Sequence, residues 1–590
     1  MRVIGGAVGV INAELWPRVL INHLYKQGVR HFCLAPGSRS APLTLAVNEL
    51  QKRQPEVKVH CHFDERGLGF FALGISKKAW LKEQVKEPVV LITTSGTAVV
   101  NLHPAVVEAA QTQLPLILLT ADRPDELLNC GANQAIAQKS VFAQHTLAEL
   151  NIPPWDERAQ ANEDFVLKNL AAINAALRKA RHPQQSGPVQ INCQFRDPLY
   201  PSSENAWPDT ESHIELPLQA NQLDLPEGHH RSQLNLKITP NTLIVAGALT
   251  QPESQKVMAL VEATGCKVYP DVNSQLRSRQ HPLVISYGDL KLAKEETLTG
   301  EFPENHIDQV IQMGGRLVSK RMNQWLSRCR QPYHLIDQHL ARLDPTGMAQ
   351  QWCLPIAEAC DQLLSNTNAR GQIVPEESKE NFELQLAERA ELKPWSELTA
   401  TMHLLKRARQ KDELFIGNSL AIRFADSLCP LTDESPLVIS QRGASGIDGL
   451  VASACGSWSQ PGSGRRFLLL GDTSLLHDLN SLALLSHSPS PVTLVVLNND
   501  GGSIFNLLPA KQFSQARRDY FQVPHGMTFE AIAKQFGLNY YQPHSVDEYD
   551  FALESCSQAH SLIECLFDSQ QATDLLTQLI HSLAKESGYD

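Results

Sequence analysis

Short apolar runs alternate with longer helical patterns along most of this chain, and this alternation restricts the fold more than any other feature. The runs fall into three blocks separated by polar stretches. Alternating strand and helix signals are typical of parallel sheets, because each helix returns the chain to the edge where the next strand starts. The sequence therefore predicts an α/β protein with three doubly wound parallel-sheet domains.

The blocks also predict the domain boundaries. We expect a first domain at residues 1–200, a linker at 201–235, a central domain at 236–365, a second linker at 366–395 and a last domain at 396–590. The predicted strands of the first block are His31–Ala35, Val57–Phe63, Val89–Thr93, Leu116–Thr120 and Val189–Phe195. Those of the second are Thr242–Ala246, Lys267–Tyr269, Gln309–Met313 and His334–Ile336. Those of the third are Leu414–Ile416, Leu437–Ser440, Phe467–Leu470, Val492–Leu497 and Leu562–Phe567.

Composition excludes several classes of function. The 590 residues carry a net charge of −11, which argues against a surface that binds nucleic acid. No apolar run approaches the ~20 residues of a membrane-spanning helix, so no membrane insertion is expected. The 12 cysteines are scattered without a CxxC pair, as expected for buried thiols in a reducing cytoplasm. We therefore expect a cytoplasmic protein.

Polar residues follow two strands of the third block, at the edge where ligands bind in open parallel sheets. Gly471–Ser474 comes directly after one strand, and Asn499 follows the next. Oxygen atoms of Asp472, Asn499 and the Gly501 carbonyl would form a half-open shell that suits Mg²⁺. Ser474, at a helix start, could help to hold a diphosphate. The competing interpretation is ordinary turn chemistry, with Gly-Asp ending a strand and Asn-Asn-Asp-Gly-Gly forming a loop.

A set of cations also lies in loops at strand ends, although the chain as a whole is acidic. Guanidinium groups bind carboxylates through two parallel hydrogen bonds, so several of them together indicate substrates with more than one carboxylate. The competing interpretation is a set of ordinary surface cations. These residues are Arg39, Arg123, Lys320, Arg321, Arg423 and Arg442.

These loops together resemble one family of thiamine-diphosphate-dependent enzymes. The family is the 2-succinyl-5-enolpyruvyl-6-hydroxy-3-cyclohexene-1-carboxylate synthases of menaquinone biosynthesis, and the resemblance runs from about residue 10 to 570 in the family's motif order. Thr473 stands where the cofactor motif usually has Gly. The motifs are Pro36–Ser40, Phe63–Gly69, Thr94–Ala98, Thr120–Pro124, Gly131–Gln134, Ser319–Arg321, Gly417–Ser419, Arg442–Gly449, Gly471–Ser474 and Gly501–Phe505.

The resemblance implies thiamine diphosphate and Mg²⁺ as cofactors, with Mn²⁺ able to substitute. The first domain would bind the pyrimidine and the last the diphosphate. Glu65 would activate the cofactor through its aminopyrimidine ring; the alternative is a helix-capping acid or a surface pair with Arg66. The implied metal ligands are Asp472, Asn499 and Gly501. The implied cofactor-binding residues are Glu65, Ser419, Arg442, Ile447, Gly471, Asp472, Thr473, Ser474, Asn499, Gly501, Ile504 and Phe505.

The resemblance also implies a transferase reaction. It would decarboxylate 2-oxoglutarate and add the succinyl carbanion to isochorismate in a homo-oligomer, a homodimer or homotetramer with active sites at the subunit interface. The alternative is an acetolactate-synthase-like carboligase or decarboxylase; a flavin is not expected, because Ala246-Gly247-Ala248 is no dinucleotide fingerprint. The implied catalytic residues are Glu65, Arg39, Gln134, Ser419, Arg423 and Arg442. The implied substrate-binding residues are Ser38, Arg39, Arg123, Gln134, Lys320, Arg321, Ser419, Arg423, Phe505 and Leu508.

Overall fold

The fold consists of parallel β-sheets with helices between their strands. A computed structural model describes residues 13–155, 162–201, 234–277, 280–298, 307–367, 386, 388–429 and 435–585. The strands are β1 His31–Leu34, β2 Lys58–Cys61, β3 Val89–Thr93, β4 Leu116–Asp122, β5 Glu149–Ile152, β6 Val189–Gln194, β7 Thr242–Ala246, β8 Lys267–Pro270, β9 Gln309–Met313, β10 Tyr333–Asp337, β11 Gln350–Cys353, β12 Glu413–Ile416, β13 Leu437–Ser440, β14 Arg466–Gly471, β15 Val492–Asn498, β16 Asn539–Tyr541 and β17 Ser561–Leu566.

The α-helices connect these strands. They are Trp16–Lys26, Ala41–Arg53, Glu65–Glu83, Thr97–Val100, His103–Thr112, Asn162–Ala180, Gln251–Thr264, Gly288–Leu298, Lys320–Arg328, Ile356–Asn366, Glu397–Arg407, Leu420–Leu428, Leu450–Ser457, Asp472–His477, Ser514–Ala516, Glu530–Gln535, Val546–Ser555 and Gln571–Lys585. The 3-10 segments are Asp125–Leu127, Ala143–His145, Val272–Ser274, Ala390–Leu392, Leu479–His487, Ser503–Leu507 and Pro509–Gln512, and a π-helical segment spans Arg517–Gln522.

The strands form three sheets in which neighbouring strands are parallel. The first has the order β2-β1-β3-β4-β6-β5, the second β11-β10-β9-β7-β8 and the third β13-β12-β14-β15-β17-β16. Counted from its own first strand, the third sheet repeats the order of the first. The predicted fold class, with doubly wound parallel sheets, is confirmed.

The central strands are buried on both faces. Every residue of β3 and of β15 is buried, as expected where helices cover both sides of a parallel sheet. Clusters of buried aliphatic side chains fill the space between helices and sheets. Each fully buried Leu, Ile or Val contributes about 2 kcal/mol of hydrophobic stabilisation, so these clusters are the main force that holds the layers together.

The chain divides into two compact units. One contains the first sheet, and the other contains the second and third sheets. Within that second unit, the side-chain amide of Gln275 pairs with the edge strand β13: its Nε2 donates to the Val438 carbonyl over 3.0 Å, and its Oε1 accepts from the Val438 N–H over 3.1 Å. Gln275 therefore extends the hydrogen-bonding pattern of the third sheet and fixes the second sheet's loop against it.

The predicted domain boundaries stay a prediction. The predicted linkers, 201–235 and 366–395, lie for the most part outside the described residues. Among the residues that the structure does describe, no helix has both the length and the apolar character needed to cross a membrane.

Candidate active site

The candidate metal site begins where β14 ends. Asp472 is the first residue of the helix Asp472–His477 and is only 2% exposed. Its Oδ2 accepts a hydrogen bond from the Gly501 N–H over 2.8 Å and lies 3.1 Å from Nε2 of His525. Its Oδ1 accepts the Thr473 N–H over 2.5 Å. The carboxylate is thus held in one orientation by groups on three separate segments.

Asn499 follows β15, the strand next to β14, and the parallel register of the two strands pairs Gly471 with Leu497. Nδ2 of Asn499 donates to Oε1 of Glu397 over 2.8 Å. Its Oδ1 is buried and has no hydrogen-bond partner within the described part of the chain. Buried polar atoms are nearly always bonded, so an open amide oxygen near a carboxylate fits a cation that accepts hard oxygen ligands.

The loop after Asn499 passes close to Gln522, and its backbone conformation at Gly501 requires glycine. The Gly501 φ of +117° is a conformation that L side chains rarely adopt, and a Cβ here would lie 2.2 Å from the carbonyl oxygen of Gln522. Within the described residues, no group of three His, Cys, Asp or Glu side chains could hold a metal alone. A metal at this edge would therefore need amide and carbonyl oxygens as well, which is the donor set that Asp472, Asn499 and Gly501 offer.

Sequence reasoning missed Glu397, which supports Asn499. Glu397 is 1% exposed in the first turn of the helix Glu397–Arg407. Burial, opposed by the hydrogen bond from Asn499 and reinforced by the charge of Asp472, raises the pKa of this carboxyl to about 8. The residue precedes β12 rather than following a strand, so the strand-end rule could not find it.

His525 was also missed, because it lies in a loop with no motif. Its backbone N–H donates to Oδ1 of Asp500 over 2.8 Å, and this bond places the ring against Asp472. The sequence carries no signal for this contact, which joins residues 53 positions apart.

Ser419, Arg423 and Arg442 come together at the end of β12. Nη1 of Arg423 donates to the Ser419 carbonyl over 2.6 Å, and Nη1 of Arg442 donates to Oδ1 of Asn418 over 2.9 Å. Burial, and then the neighbouring charge of Arg442, lower the pKa of Arg423. Two guanidinium groups this close favour a negatively charged ligand between or beside them.

The backbone at Ser419 is strained. Its φ of +65° and ψ of −129° lie in a region that a residue with a Cβ rarely occupies. Such conformations persist only where the surroundings enforce them, and they concentrate at functional sites. The strain therefore supports the assignment of this loop to the site.

Residues in loops that follow strands of the second sheet contact the loop that carries Arg442. Nη1 of Arg316 donates to the carbonyl of Gly443 and, over 3.4 Å, to that of Arg442. Ser440 at the end of β13 donates to Oδ1 of Asn273 over 2.6 Å. The loop that carries Arg442 is thus fixed by residues that precede the last domain in the sequence.

Lys320 and Arg321 differ from the other predicted cations. Lys320 is exposed at the start of the helix Lys320–Arg328. Nη1 of Arg321 lies 2.9 Å from Oδ2 of Asp289, which also accepts the Ser427 hydroxyl over 2.7 Å. Arg321 is therefore already paired with a carboxylate, and its contacts connect it to Asp289 rather than to Arg423 or Arg442.

Two of the apolar residues predicted around the cofactor, Ile504 and Phe505, lie in the 3-10 segment Ser503–Leu507 that follows Gly501. Ile504 packs against the cluster that contains Leu420 and Phe424. Phe505 meets Phe521 edge to face, with ring centroids 5.2 Å apart. The remaining members of the predicted set differ in exposure: Ser474 is buried, Gly471 and Ile447 are partly exposed, and Thr473 and Leu508 are exposed.

In the unit that contains the first sheet, the structure brings Arg123 and Gln134 together around Ser95. Nη1 of Arg123 donates to Oγ of Ser95 over 2.5 Å and to the carbonyl of Gln134 over 2.7 Å, and Nε2 of Gln134 donates to the Ser95 carbonyl over 3.0 Å. Burial, and then the charge of Arg39, lower the pKa of Arg123. Arg39 therefore lies within electrostatic reach of this group.

The other predicted residues of this unit are Arg39, Ser38 and Glu65, which differ in exposure. Nη1 of Arg39 donates to the Phe195 carbonyl over 3.0 Å, and Ser38 is exposed, with its Oγ 3.5 Å from the Tyr200 hydroxyl. Glu65 is half-buried as the first residue of the helix Glu65–Glu83, and its Oε2 accepts a hydrogen bond from Asn101 over 3.2 Å. Glu65 thus lies at a helix start one short loop after β2.

Comparison with protein families defines the class. Residues 17–145 match the model described as "Thiamine pyrophosphate enzyme, N-terminal TPP binding domain", and residues 209–416 match "Middle domain of thiamine pyrophosphate". A solved structure from Mycobacterium smegmatis, described as a candidate thiamin diphosphate-dependent enzyme, superposes with a TM-score of 0.65 at 15% identity over 94% of this chain and 99% of its own. At that identity the likeness shows the fold alone. The chain has the fold and the cofactor-binding domains of a thiamine-diphosphate-dependent enzyme.

Curated relatives specify the family. Proteins named 2-succinyl-5-enolpyruvyl-6-hydroxy-3-cyclohexene-1-carboxylate synthase from Shewanella sediminis and Shewanella frigidimarina are each 37% identical, over 96% of this chain and 97% of their own length. The protein of that name from Shewanella sp. strain W3-18-1 is 39% identical over the same shares. The chain belongs to the family of 2-succinyl-5-enolpyruvyl-6-hydroxy-3-cyclohexene-1-carboxylate synthases. The predicted family, enzyme class and organic cofactor are confirmed.

Proposed function

We propose that this chain decarboxylates 2-oxoglutarate and adds the remaining four-carbon unit to isochorismate, giving 2-succinyl-5-enolpyruvyl-6-hydroxy-3-cyclohexene-1-carboxylate and CO₂ for menaquinone biosynthesis. Family membership supports the reaction. The observation that carries the chemistry is the metal half-site, which combines the open Oδ1 of Asn499 with the oriented carboxylate of Asp472. A cation held by these residues would supply the positive charge that the diphosphate of the family's cofactor needs.

Asp472, Oδ1 of Asn499 and the Gly501 carbonyl would hold Mg²⁺, with Mn²⁺ able to substitute. Glu397 keeps the Asn499 side chain turned so that its oxygen, rather than its NH₂ group, faces the metal position. His525 and the Gly501 N–H hold one oxygen of Asp472 in place. When bound, thiamine diphosphate supplies the electron sink that stabilises the negative charge left as CO₂ departs.

Glu65 would hydrogen-bond the aminopyrimidine ring and promote the proton movement that activates the cofactor. A carboxylate does this best where water is excluded, because a low dielectric strengthens the bond. In the single chain Glu65 is only half-buried, and among the described residues its side chain accepts one hydrogen bond, from Asn101. We infer that a second copy of the chain covers Glu65, so that the active sites of a homodimer or homotetramer lie at a subunit interface.

The cations would bind the substrate carboxylates. Both substrates are dicarboxylates, and the chain carries the pair Arg423 and Arg442 at the end of β12 and, in the unit of the first sheet, the pair Arg39 and Arg123. Ser38, Gln134 and Ser419 would orient the substrates through hydrogen bonds. Lys320, which is exposed, is freer to reach a substrate than Arg321, which lies 2.9 Å from Asp289.

The apolar residues would shield the reaction from water. Ile447, Ile504, Phe505 and Leu508 lie in the two glycine-rich loops of the third sheet, and a dry wall there protects a carbanion from protonation. Leu508 is 39% exposed in the single chain, which fits a surface that substrate or a second subunit covers.

The cytoplasm is the proposed location. Ten of the 12 cysteines are buried free thiols, and burial raises the pKa of Cys353 to about 11 and of Cys360 to about 12. Such thiols are unreactive, and a chain without disulfide bonds among its described residues is suited to a reducing compartment.

The reaction can be tested by substrate choice. We expect CO₂ release from 2-oxoglutarate, with a carbon–carbon coupled product when isochorismate is added, and little release from pyruvate. Arg423→Ala should raise KM for 2-oxoglutarate, because removal of a charge-assisted hydrogen bond costs about 1.5–3 kcal/mol. Lys534→Ala, an exposed cation of the same unit, is the matched control. A preference for pyruvate would instead indicate an acetolactate-synthase-like enzyme and would contradict the proposal.

A further inference from the structure

A cavity lies at the opposite edge of the third sheet from Asp472 and Asn499. It has a volume of about 630 Å³ and is formed by residues 409–412, 462–466, 490–491, 493, 553 and 556–557. These segments surround the amino ends of β12, β14 and β15. The volume falls within the ~300–1,000 Å³ that is usual for small-molecule sites.

The wall of this cavity is cationic in a chain with a net charge of −11. Arg409, Lys411, Arg465 and Arg466 line it, against one carboxylate, Asp412. That carboxylate is already engaged, because its Oδ2 accepts from Nη2 of Arg465 and from the Arg409 N–H, each over 2.9 Å. Asp412 therefore fixes two of the basic segments in place. Once the charge of Glu413, which acts on Arg466, is also counted, two positive charges remain in excess.

The environment of Arg466 is the main evidence that the cavity binds an anion. Arg466 is 1% exposed, and its guanidinium donates to the carbonyls of Trp458 over 2.9 Å and Gln460 over 2.6 Å and to the Ser488 hydroxyl over 2.8 Å. All three acceptors are neutral. Its Nε is buried and has no hydrogen-bond partner in the part of the chain that the structure describes. Burial lowers the pKa of Arg466, opposed by the charge of Glu413, so a bound anion would relieve an unfavourable state.

The loop Gly462-Ser463-Gly464 completes the wall with groups that suit phosphate oxygens. Ser463 is exposed at the cavity, and no hydrogen bond among the described residues uses the N–H groups of these three residues. A Cβ at Gly464 would lie 1.8 Å from the Lys411 carbonyl oxygen, so only glycine lets the two segments pack. Free backbone N–H groups, a hydroxyl and several cations in one concavity are the donor set that proteins use for phosphate.

We propose that this cavity binds a small phosphate-bearing molecule. The proposal is independent of the reaction assigned to the other edge of the sheet, since it uses none of the residues placed there.

The test is a titration of the full-length holoenzyme, saturated with thiamine diphosphate and Mg²⁺ so that the diphosphate position is filled. Inorganic phosphate, glycerol 3-phosphate and succinate are added separately in a calorimeter. Wild type should bind one equivalent of glycerol 3-phosphate; binding of inorganic phosphate as well would place recognition in the phosphate group alone. Preferential binding of succinate, or no binding of either phosphate, would overturn the proposal.

Two variants assign the binding to this cavity. Arg409→Gln with Lys411→Gln removes two exposed charges, and Ser463→Asp places a carboxylate in the loop; each should weaken phosphate binding at least tenfold. Lys534→Gln with Lys585→Gln removes two exposed charges elsewhere in the same unit and should bind like wild type. Unchanged affinity in the cavity variants, or an equal loss in the control, would overturn the assignment.

Discussion

The two regions that we assign to the cofactor differ in how complete each is within one chain. Asp472 and Asn499 are almost fully buried and are held by Glu397, His525 and the Gly501 N–H. Glu65 in the other unit is half-buried and, within the part of the chain that the structure describes, accepts a side-chain hydrogen bond from Asn101. Metal ligands bind best when they are already held in position, whereas a carboxylate that hydrogen-bonds a ring nitrogen, such as Glu65, can be covered when subunits assemble. The proposed metal ligands are therefore already held in position within one chain, whereas we propose that a second subunit must cover Glu65.

The largest effect should follow from removing the metal half-site. Asp472→Ala deletes the carboxylate that we propose as a metal ligand, so Mg²⁺-dependent binding of thiamine diphosphate should weaken by more than about 100-fold, beyond the usual cost of losing a supporting residue. Calorimetric titration of the cofactor at fixed Mg²⁺ measures this. Asp568→Asn, an exposed acid of the same unit, serves as control. Retained affinity in Asp472→Ala would place the metal elsewhere.

Replacement of Glu65 should reduce turnover while leaving the affinity for thiamine diphosphate nearly unchanged. Glu65→Gln keeps the shape of the side chain but removes its charge, so turnover should fall by about 10²–10⁴-fold. Affinity for thiamine diphosphate should change by less than about tenfold, since the metal half-site is intact. Parallel measurement of kcat and cofactor affinity checks this, and a variant with wild-type turnover would remove Glu65 from the mechanism.

The buried acid behind Asn499 should make the metal half-site sensitive to pH. Glu397 has a pKa of about 8 in the folded protein against an ordinary value of 4.5, so the folded state holds its proton more tightly than the unfolded state. The contribution of Glu397 to the free energy of unfolding is therefore fully present below pH 4.5 and is lost as the pH rises towards 8. Glu397→Gln stays neutral, so the Tm of the apoprotein variant minus that of wild type should increase from about pH 5 to about pH 8.

Added Mg²⁺ should reduce this difference, because the cation favours the ionised carboxyl. Glu530→Gln, at an exposed position of the same unit, should show no such trend. A difference that stays constant across the pH range would show that Glu397 does not retain its proton.

The smallest effect concerns the strained loop at Ser419. Ser419→Ala and Ser419→Gly both remove the hydroxyl, but only Gly adopts a φ of +65° without strain. Ser419→Gly should therefore be more stable than Ser419→Ala by about 1 kcal/mol. Chemical unfolding of the two variants measures the difference, and equal stabilities would show that the conformation is not enforced at this position.

The sequence predicted the inner strands of the three sheets but only half of the edge strands. The inner strands Val89–Thr93, Thr242–Ala246 and Gln309–Met313 and the edge strand Leu437–Ser440 were predicted with the bounds observed. β5, β11 and β16 were missed; all lie at sheet edges and are short and partly exposed. These three strands lack the continuous apolar pattern of strands buried on both faces, so an apolar run does not mark them in the sequence.

The residues of the candidate site also differ in whether the sequence could predict them. Asp472 and Asn499 follow central strands, where parallel topology brings strand ends together, and they were predicted from that rule. Glu397 begins a helix before β12, His525 lies in a loop, and Arg316 belongs to the second sheet. Their contacts join segments far apart in the sequence, and no local pattern encodes such contacts.

The central claim is that Glu65 of one subunit and Asp472 of another serve the same cofactor. Mixing Glu65→Gln and Asp472→Ala chains, after dissociation and reassembly, tests it most directly. If the sites are shared, half of the randomly formed dimers contain one intact site, and activity should return to about a quarter of the wild-type value, although each variant alone is inactive. If each chain builds its own site, the mixture would stay as inactive as its components, and the account would be wrong.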